Sequence, residues 1–140
     1  MNWYLKVLKQ YADFKGRARR TEYWMFALFN FLIWIVLFGL SLGLAISGNS
    51  GMFIAPVISI LLILYYLVIL VPSLAVLVRR LHDQNKSGAW FFIAFVPLVG
   101  GIWLLVLLCT DGTPGPNQYG PDPKGQASFN DEALDSHLTT

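Results

Sequence analysis

Residues 23–78 contain no Lys, Arg, Asp or Glu, and so long a charge-free stretch is incompatible with a water-soluble core and surface. It is not one run. Ser47-Gly48-Asn49-Ser50-Gly51 interrupts it with two glycines and an asparagine, residues that accept the positive φ of a tight turn. As helices, residues 23–46 would rise roughly 36 Å and residues 53–78 roughly 39 Å, against a hydrocarbon core of about 30 Å. Both can cross with some tilt. Composition agrees, because 56% hydrophobic and 13% charged residues lie outside the balance of globular chains.

A third uncharged run at 88–109 is also long enough to span, but Pro97 and the pair Gly100-Gly101 fall near its middle. Helix breakers survive in spanning helices when neighbours satisfy the freed backbone groups, so a kinked third span is expected. The same pattern also suits a re-entrant hairpin that turns back at mid-membrane. The first apolar run begins too late and runs too long for a cleaved signal peptide. The expected fold is therefore an all-α integral membrane protein with three transmembrane helices.

Before the first span, residues 2–14 place Tyr4, Leu8 and Tyr11 on one helical face, beside Trp3, Val7 and Phe14, while Lys6, Lys9 and Asp13 point away. This predicts a short amphipathic helix lying in the interface, within a basic segment that ends near residue 20. After Thr110 the chain becomes rich in proline and glycine, which forbids a regular element, and from about Gln126 it is polar and acidic, a disordered composition. Orientation follows from the basic residues. Lys6, Lys9, Lys15, Arg17, Arg19 and Arg20 precede the first span, and Arg79, Arg80 and Lys86 follow the second, which favours a cytoplasmic amino terminus. With three spans, Lys124 would lie on the far side; with a re-entrant third segment, the tail would return to the cytoplasm.

Two charged groups distant in sequence are expected at one membrane face, because antiparallel helices bring them to one plane. Arg17, Arg20 and Glu22 lead into the first span, and Arg79, Arg80, His82, Asp83 and Lys86 leave the second. Arg79 and Asp83 are four residues apart, hence one helical turn. Asn85 or Ser87 could cap the segment that follows. Such a basic ring could bind lipid phosphate through forked hydrogen bonds, or serve only as a topology signal with both carboxylates paired to nearby arginines. His82 and Asp83 are adjacent, about 100° apart on a helix, and do not form an oriented acid and base pair.

Gly39 and Gly43, extended by Ser47, give the spacing that lets transmembrane backbones approach, and so mark a seam for an internal helix or a partner. Asn30, the amide in the first span, reads as interhelical glue. A net charge of +2, ten basic residues against eight acidic, gives no ground for nucleic-acid binding. Cys109 is the only cysteine, which excludes an internal disulfide, and its place suggests a small apolar residue near a boundary. No metal-ligand spacing, phosphate loop or nucleophile motif is present, so no metal and no cofactor is expected.

Phe14-Lys15-Gly16-Arg17 with Arg20 and Glu22-Tyr23-Trp24, then Arg79-Arg80-Leu81-His82-Asp83 with Lys86-Ser87-Gly88 and Trp90, then Gly112-Thr113 and Asn117-Gln118-Tyr119-Gly120-Pro121-Asp122-Pro123, form three motifs in order. Together they resemble the bacterial inner-membrane family called domain of unknown function 805. The resemblance implies a cytoplasmic-membrane protein with no assigned activity, substrate or cofactor, and it adds weight to a specific role for the charged cluster. The expected function is non-enzymatic, with the cluster locking helices together and engaging anionic lipid or a membrane partner. A small transporter or channel subunit working as a homo-oligomer is the alternative.

Overall fold

A computed structural model describes residues 2–47 and 49–125, so Gly48 in the expected turn and the expected disordered tail from Gln126 lie outside the described residues. Among the described residues four α-helices and one 3₁₀ segment follow in order: α1 (Asn2–Lys9), α2 (Arg20–Ile46), α3 (Asn49–Asp83), a 3₁₀ segment (Gly88–Phe95) and α4 (Gly100–Cys109). Two of these, residues 20–46 and 54–83, are long and apolar enough to cross a bilayer.

α2 and α3 form an antiparallel pair, and its register can be followed along the seam. Ala18 N–H donates to the Arg79 carbonyl at 3.0 Å, the Tyr65 hydroxyl donates to Asn30 Oδ1, and the hydroxyls of Ser41 and Ser59 lie 3.1 Å apart. Asn30 also donates to the Phe26 carbonyl of its own helix, and its bond to Tyr65 makes it the interhelical link expected of it. In hydrocarbon such bonds hold the pair where no hydrophobic driving force exists between helices.

α1 is shorter than the helix expected over residues 2–14. It ends at Lys9, leaving Tyr11 and Phe14 beyond it and exposed. Val7 is fully buried against Ala18, Phe26, Ile69 and Val76, with Tyr4 and Leu8 packed beside them. Tyr4 stacks on Phe26 at 5.4 Å between ring centres. The amphipathic stripe read from the sequence is thus used against α2 and α3 themselves.

Tyr11 has a further role that follows from a proline. Pro72 sits inside α3 and is fully buried. Lacking an N–H, it leaves the carbonyl four residues earlier, that of Val68, without its helical donor. The Tyr11 hydroxyl donates to the Val68 carbonyl at 2.6 Å. The connection from α1 therefore repairs the helix that the proline interrupts.

The single kinked span expected over 88–109 is corrected. The run folds as two legs, the 3₁₀ segment and α4, joined by a turn at residues 96–99 in which Leu98 takes φ +69°. The ten residues of α4 rise only about 15 Å, half of a hydrocarbon core. Pro97 cannot donate to the Ile93 carbonyl, which accepts from Val96 N–H at 3.0 Å instead, and the helix stops there. Gly100 then lets the legs touch, because a Cβ at that position would overlap the Ile93 carbonyl oxygen. The seam is completed by Leu104, Leu107 and Leu108 packing on Leu81, Phe91, Ile93 and Ala94. Both ends of this hairpin lie at the charged end of α3, since Asn85, in the turn that opens it, receives the left-handed φ of +58° just after Asp83 and Arg80 reaches the Leu108 carbonyl at 3.3 Å. The expected cap by Ser87 or Asn85 is not made: Ser87 makes no side-chain bond into the 3₁₀ segment, and only its carbonyl is used, by Trp90 N–H.

Candidate functional site

The charged residues expected at one face do meet there, but with partners that differ from those the spacing suggested. Asp83 is the hub. Its Oδ1 accepts from Arg17 Nε at 2.9 Å and its Oδ2 from Arg80 Nη1, so two guanidiniums share one carboxylate and the triad keeps one net positive charge. The side chains of Arg17, Arg80 and Asp83 are 1%, 0% and 5% exposed. The Arg79 to Asp83 pairing suggested by their one-turn separation is corrected: Asp83 is reached by Arg80, three residues back, and Arg79 points to the opposite side of α3.

The remaining donors of these arginines are also spent on protein. Arg17 reaches the carbonyls of Gly115 at 2.6 Å and Thr113 at 2.5 Å. Arg80 donates to the carbonyls of Leu108 and Thr110, Gln84 to those of Leu107 and Thr110, and Arg20 to that of Cys109 at 3.0 Å. The oxygens of Leu107, Leu108 and Cys109 belong to the last turn of α4, whose carbonyls have no helical donors of their own. Two cations there also oppose the negative end of the helix dipole. A hairpin leg too short to stand alone is thus fastened at its carboxyl end by α2 and α3.

On the other side of α3, Lys6 of α1 donates to Glu22 Oε1 at 2.7 Å, and Arg79 donates to Gln10 Oε1 and to the Ala75 carbonyl. Glu22 is fully buried and paired to a lysine, correcting the expected arginine partner. Buried Glu22 Oε2 and Arg79 Nη2 have no hydrogen-bond partner among the described residues.

Residues 111–125 fold back over the hub as a strap. Thr113 N–H and hydroxyl both donate to the Asp83 carbonyl, at 2.8 and 3.1 Å. Asn117 donates to the His82 carbonyl at 2.9 Å, and Arg19 to that of Pro123. The His82 ring lies flat on Tyr119, 3.8 Å between centres and 3° from parallel, with Nδ1 3.3 Å from the Gly16 carbonyl. Gly112 allows the strap to pass, because a Cβ there would overlap the Asp83 carboxylate. Lys124 bonds to Asp111 at 2.9 Å, and Asp111 to Arg20 at 2.7 Å, so Lys124 sits with the other basic residues and not on the far side. The Lys124 side chain holds the Asp111 carboxyl below its usual range. The backbone N–H groups of Lys124 and Gly115 do the same for Asp122.

Lys86 lies over the Trp90 ring, 4.9 Å from its centre. Gly39 and Gly43 have open space at their Cβ positions, so the α2–α3 seam runs through Ser41 instead. Ser47 turns back to the Leu44 carbonyl at 3.0 Å. Cys109 is a free, exposed thiol. The sequence reading missed Gln10, Gln84, Asp111 and Tyr119, polar residues on segments whose return to the cluster is set by the hairpin. Of these, Tyr119 stood in a quoted motif, which was the available signal.

The model of a protein family of unknown function, DUF805, matches residues 11–121. Among curated proteins, the chain is 47% identical over 124 residues to inner membrane protein YhaI of Escherichia coli, covering 89% of this chain and 97% of that one. It is 44% identical over 126 residues to inner membrane protein YhaH of the same organism, covering 89% and 98%. Uncharacterized protein YiiR of Escherichia coli is 32% identical over 135 residues, covering 79% and 85%. No solved structure matches.

Proposed function

The chain belongs to the DUF805 family, and on that premise we propose that it is a non-catalytic inner-membrane protein whose buried charge cluster is a lock. It crosses the membrane twice, with the 88–109 hairpin re-entering from the cytoplasmic side and both ends of the chain in the cytoplasm. The exposed cations around the lock, Lys6, Lys9, Lys15 and Arg20, engage anionic lipid headgroups.

The observation that carries this reading is that Asp83 and the carbonyls of the hairpin and strap consume the donors of Arg17 and Arg80. A buried ion pair of this kind favours one arrangement of the chain over others, and breaking it leaves a charge uncompensated. Phosphate recognition therefore falls to the cations left at the surface. The uncharged sequence from Ala89 to Cys109 suits a hairpin in hydrocarbon, and fastening both its ends to one charged plane supports re-entry over crossing.

Topology is tested by reporter fusions at the 47–51 turn and at the carboxyl terminus. Re-entry requires the turn outside and the carboxyl terminus inside; a carboxyl terminus outside would restore the third span. Lipid engagement is tested by native mass spectrometry of protein purified with phosphatidylglycerol. The double variant Lys9→Gln/Lys15→Gln should retain less of that lipid at unchanged thermal stability, whereas equal retention would remove the lipid role. A second reading, a subunit of an oligomeric transporter or channel, is favoured by the open space at Gly39 and Gly43. Two spans cannot enclose a path alone, so a strictly monomeric protein in native mass spectra would reject it.

A further inference from the structure

The secondary elements are distributed unequally along the α2–α3 pair. At the charged end, α1 covers one side through Tyr4 and Val7, reaching as far as Phe29 and Tyr65. The hairpin covers the other side, through Leu104, Leu107 and Leu108 against Leu81. At the opposite end no further element is added among the described residues: from residue 31 to 46 only Ser41 is buried, and from 54 to 64 only Ala55 and Leu62. Asn30 and Tyr65, bonded to each other, mark the level at which the wide half gives way to the narrow one. Ten residues separate Arg20 from Asn30, about 15 Å of helix, so this level is near the middle of the hydrocarbon.

Each helix with its side chains is about 10 Å across, so the half holding α1, α2, α3 and the hairpin occupies roughly twice the membrane area of the half holding α2 and α3 alone. The hairpin is an apolar insertion and not a surface attachment. Phe92, Phe95, Leu98, Val99 and Ile102 are all more than half exposed and find a solvent only in acyl chains. The structure is a wedge, broad in the leaflet that carries the basic residues.

We propose that this protein generates and seeks membrane curvature, preferring bilayers whose cytoplasmic leaflet is convex. The inference rests on the re-entrant reading above. A wedge that spreads the headgroups of one leaflet relieves packing strain where that leaflet is bent outward and adds strain where it is bent inward. No partner protein is needed, because the lipid surface itself is the ligand.

The test uses the full chain, fluorescently labelled at the amino terminus and reconstituted into giant vesicles from which a narrow membrane tether is pulled. Externally added quencher sorts vesicles by orientation. With the charged face outward, protein density on the tether should exceed that on the parent vesicle, and the excess should grow as the tether is narrowed. With the charged face inward, it should fall below the parent value. Equal density in both orientations, or enrichment with the charged face inward, overturns the proposal. The reporter fusions decide re-entry separately, so a re-entrant protein that fails to sort refutes the wedge and leaves the topology standing.

Discussion

Replacing Tyr11 by Phe removes a single hydroxyl, and the structure states what that hydroxyl is for. It donates at 2.6 Å to the Val68 carbonyl, which Pro72 has deprived of a helical donor. A polar group left without a partner in a buried setting costs about 1–3 kcal/mol, and because Tyr11 is itself 39% exposed the lower half of that range is expected. Pro72→Ala supplies a backbone N–H to the same carbonyl, so in that background Tyr11→Phe should cost little. The double-mutant cycle should therefore show a coupling of about 1–2 kcal/mol. Pro72 is fully buried, so Pro72→Ala will carry its own packing cost, but the cycle subtracts it. The assay is unfolding by sodium dodecyl sulfate titrated into mixed micelles, followed by circular dichroism. If Tyr11→Phe costs the same with and without Pro72, to within about 0.3–0.5 kcal/mol, the hydroxyl does not replace the missing donor and the reasoning fails.

Asp83→Ala strands Arg17 and Arg80 in a buried setting and should lose about 3–5 kcal/mol in the same titration, whereas Asp111→Ala, at an exposed pair, should leave the titration midpoint nearly unchanged. Gly112→Ala should release the strap, seen as faster proteolysis at residues 113–123, because its Cβ overlaps the Asp83 carboxylate; unchanged cleavage would mean the strap is held elsewhere. Acid should loosen the strap too. The Asp122 carboxyl sits below its ordinary 3.8 because it accepts from Lys124 and Gly115, so its contribution is complete above that value and is lost as the pH falls through the lower folded value. Amide exchange of the Gly115 and Lys124 N–H groups against pH checks this, and an onset well above pH 3.8 would assign the loosening to another group. Gly100→Val should separate the hairpin legs, detected as increased solvent quenching of Trp103.

The sequence alone shows that the chain lives in a bilayer, that a break near Ser47 divides two long apolar helices, that Asn30 links helices, and that Arg17 to Glu22 and Arg79 to Lys86 share a face, although α3 already begins at Asn49, inside the expected 47–51 turn. Each follows from a local count: length without charge sets a span, and the parity of spans sets which ends coincide. The tertiary structure decided who pairs with whom. Arg80 and not Arg79 meets Asp83, and Lys6 and not an arginine meets Glu22, because helix rotation and the docking of α1 aim side chains in ways that spacing leaves open. It also decided the third apolar run. Pro97 and Gly100 permit either a kink or a reversal, and the choice depends on whether distant groups capture the carbonyls at the end of α4. Arg20, Arg80 and Gln84 do so at one face, so the run that local composition could have sent across the membrane is bound at both ends to the charged plane from which it started.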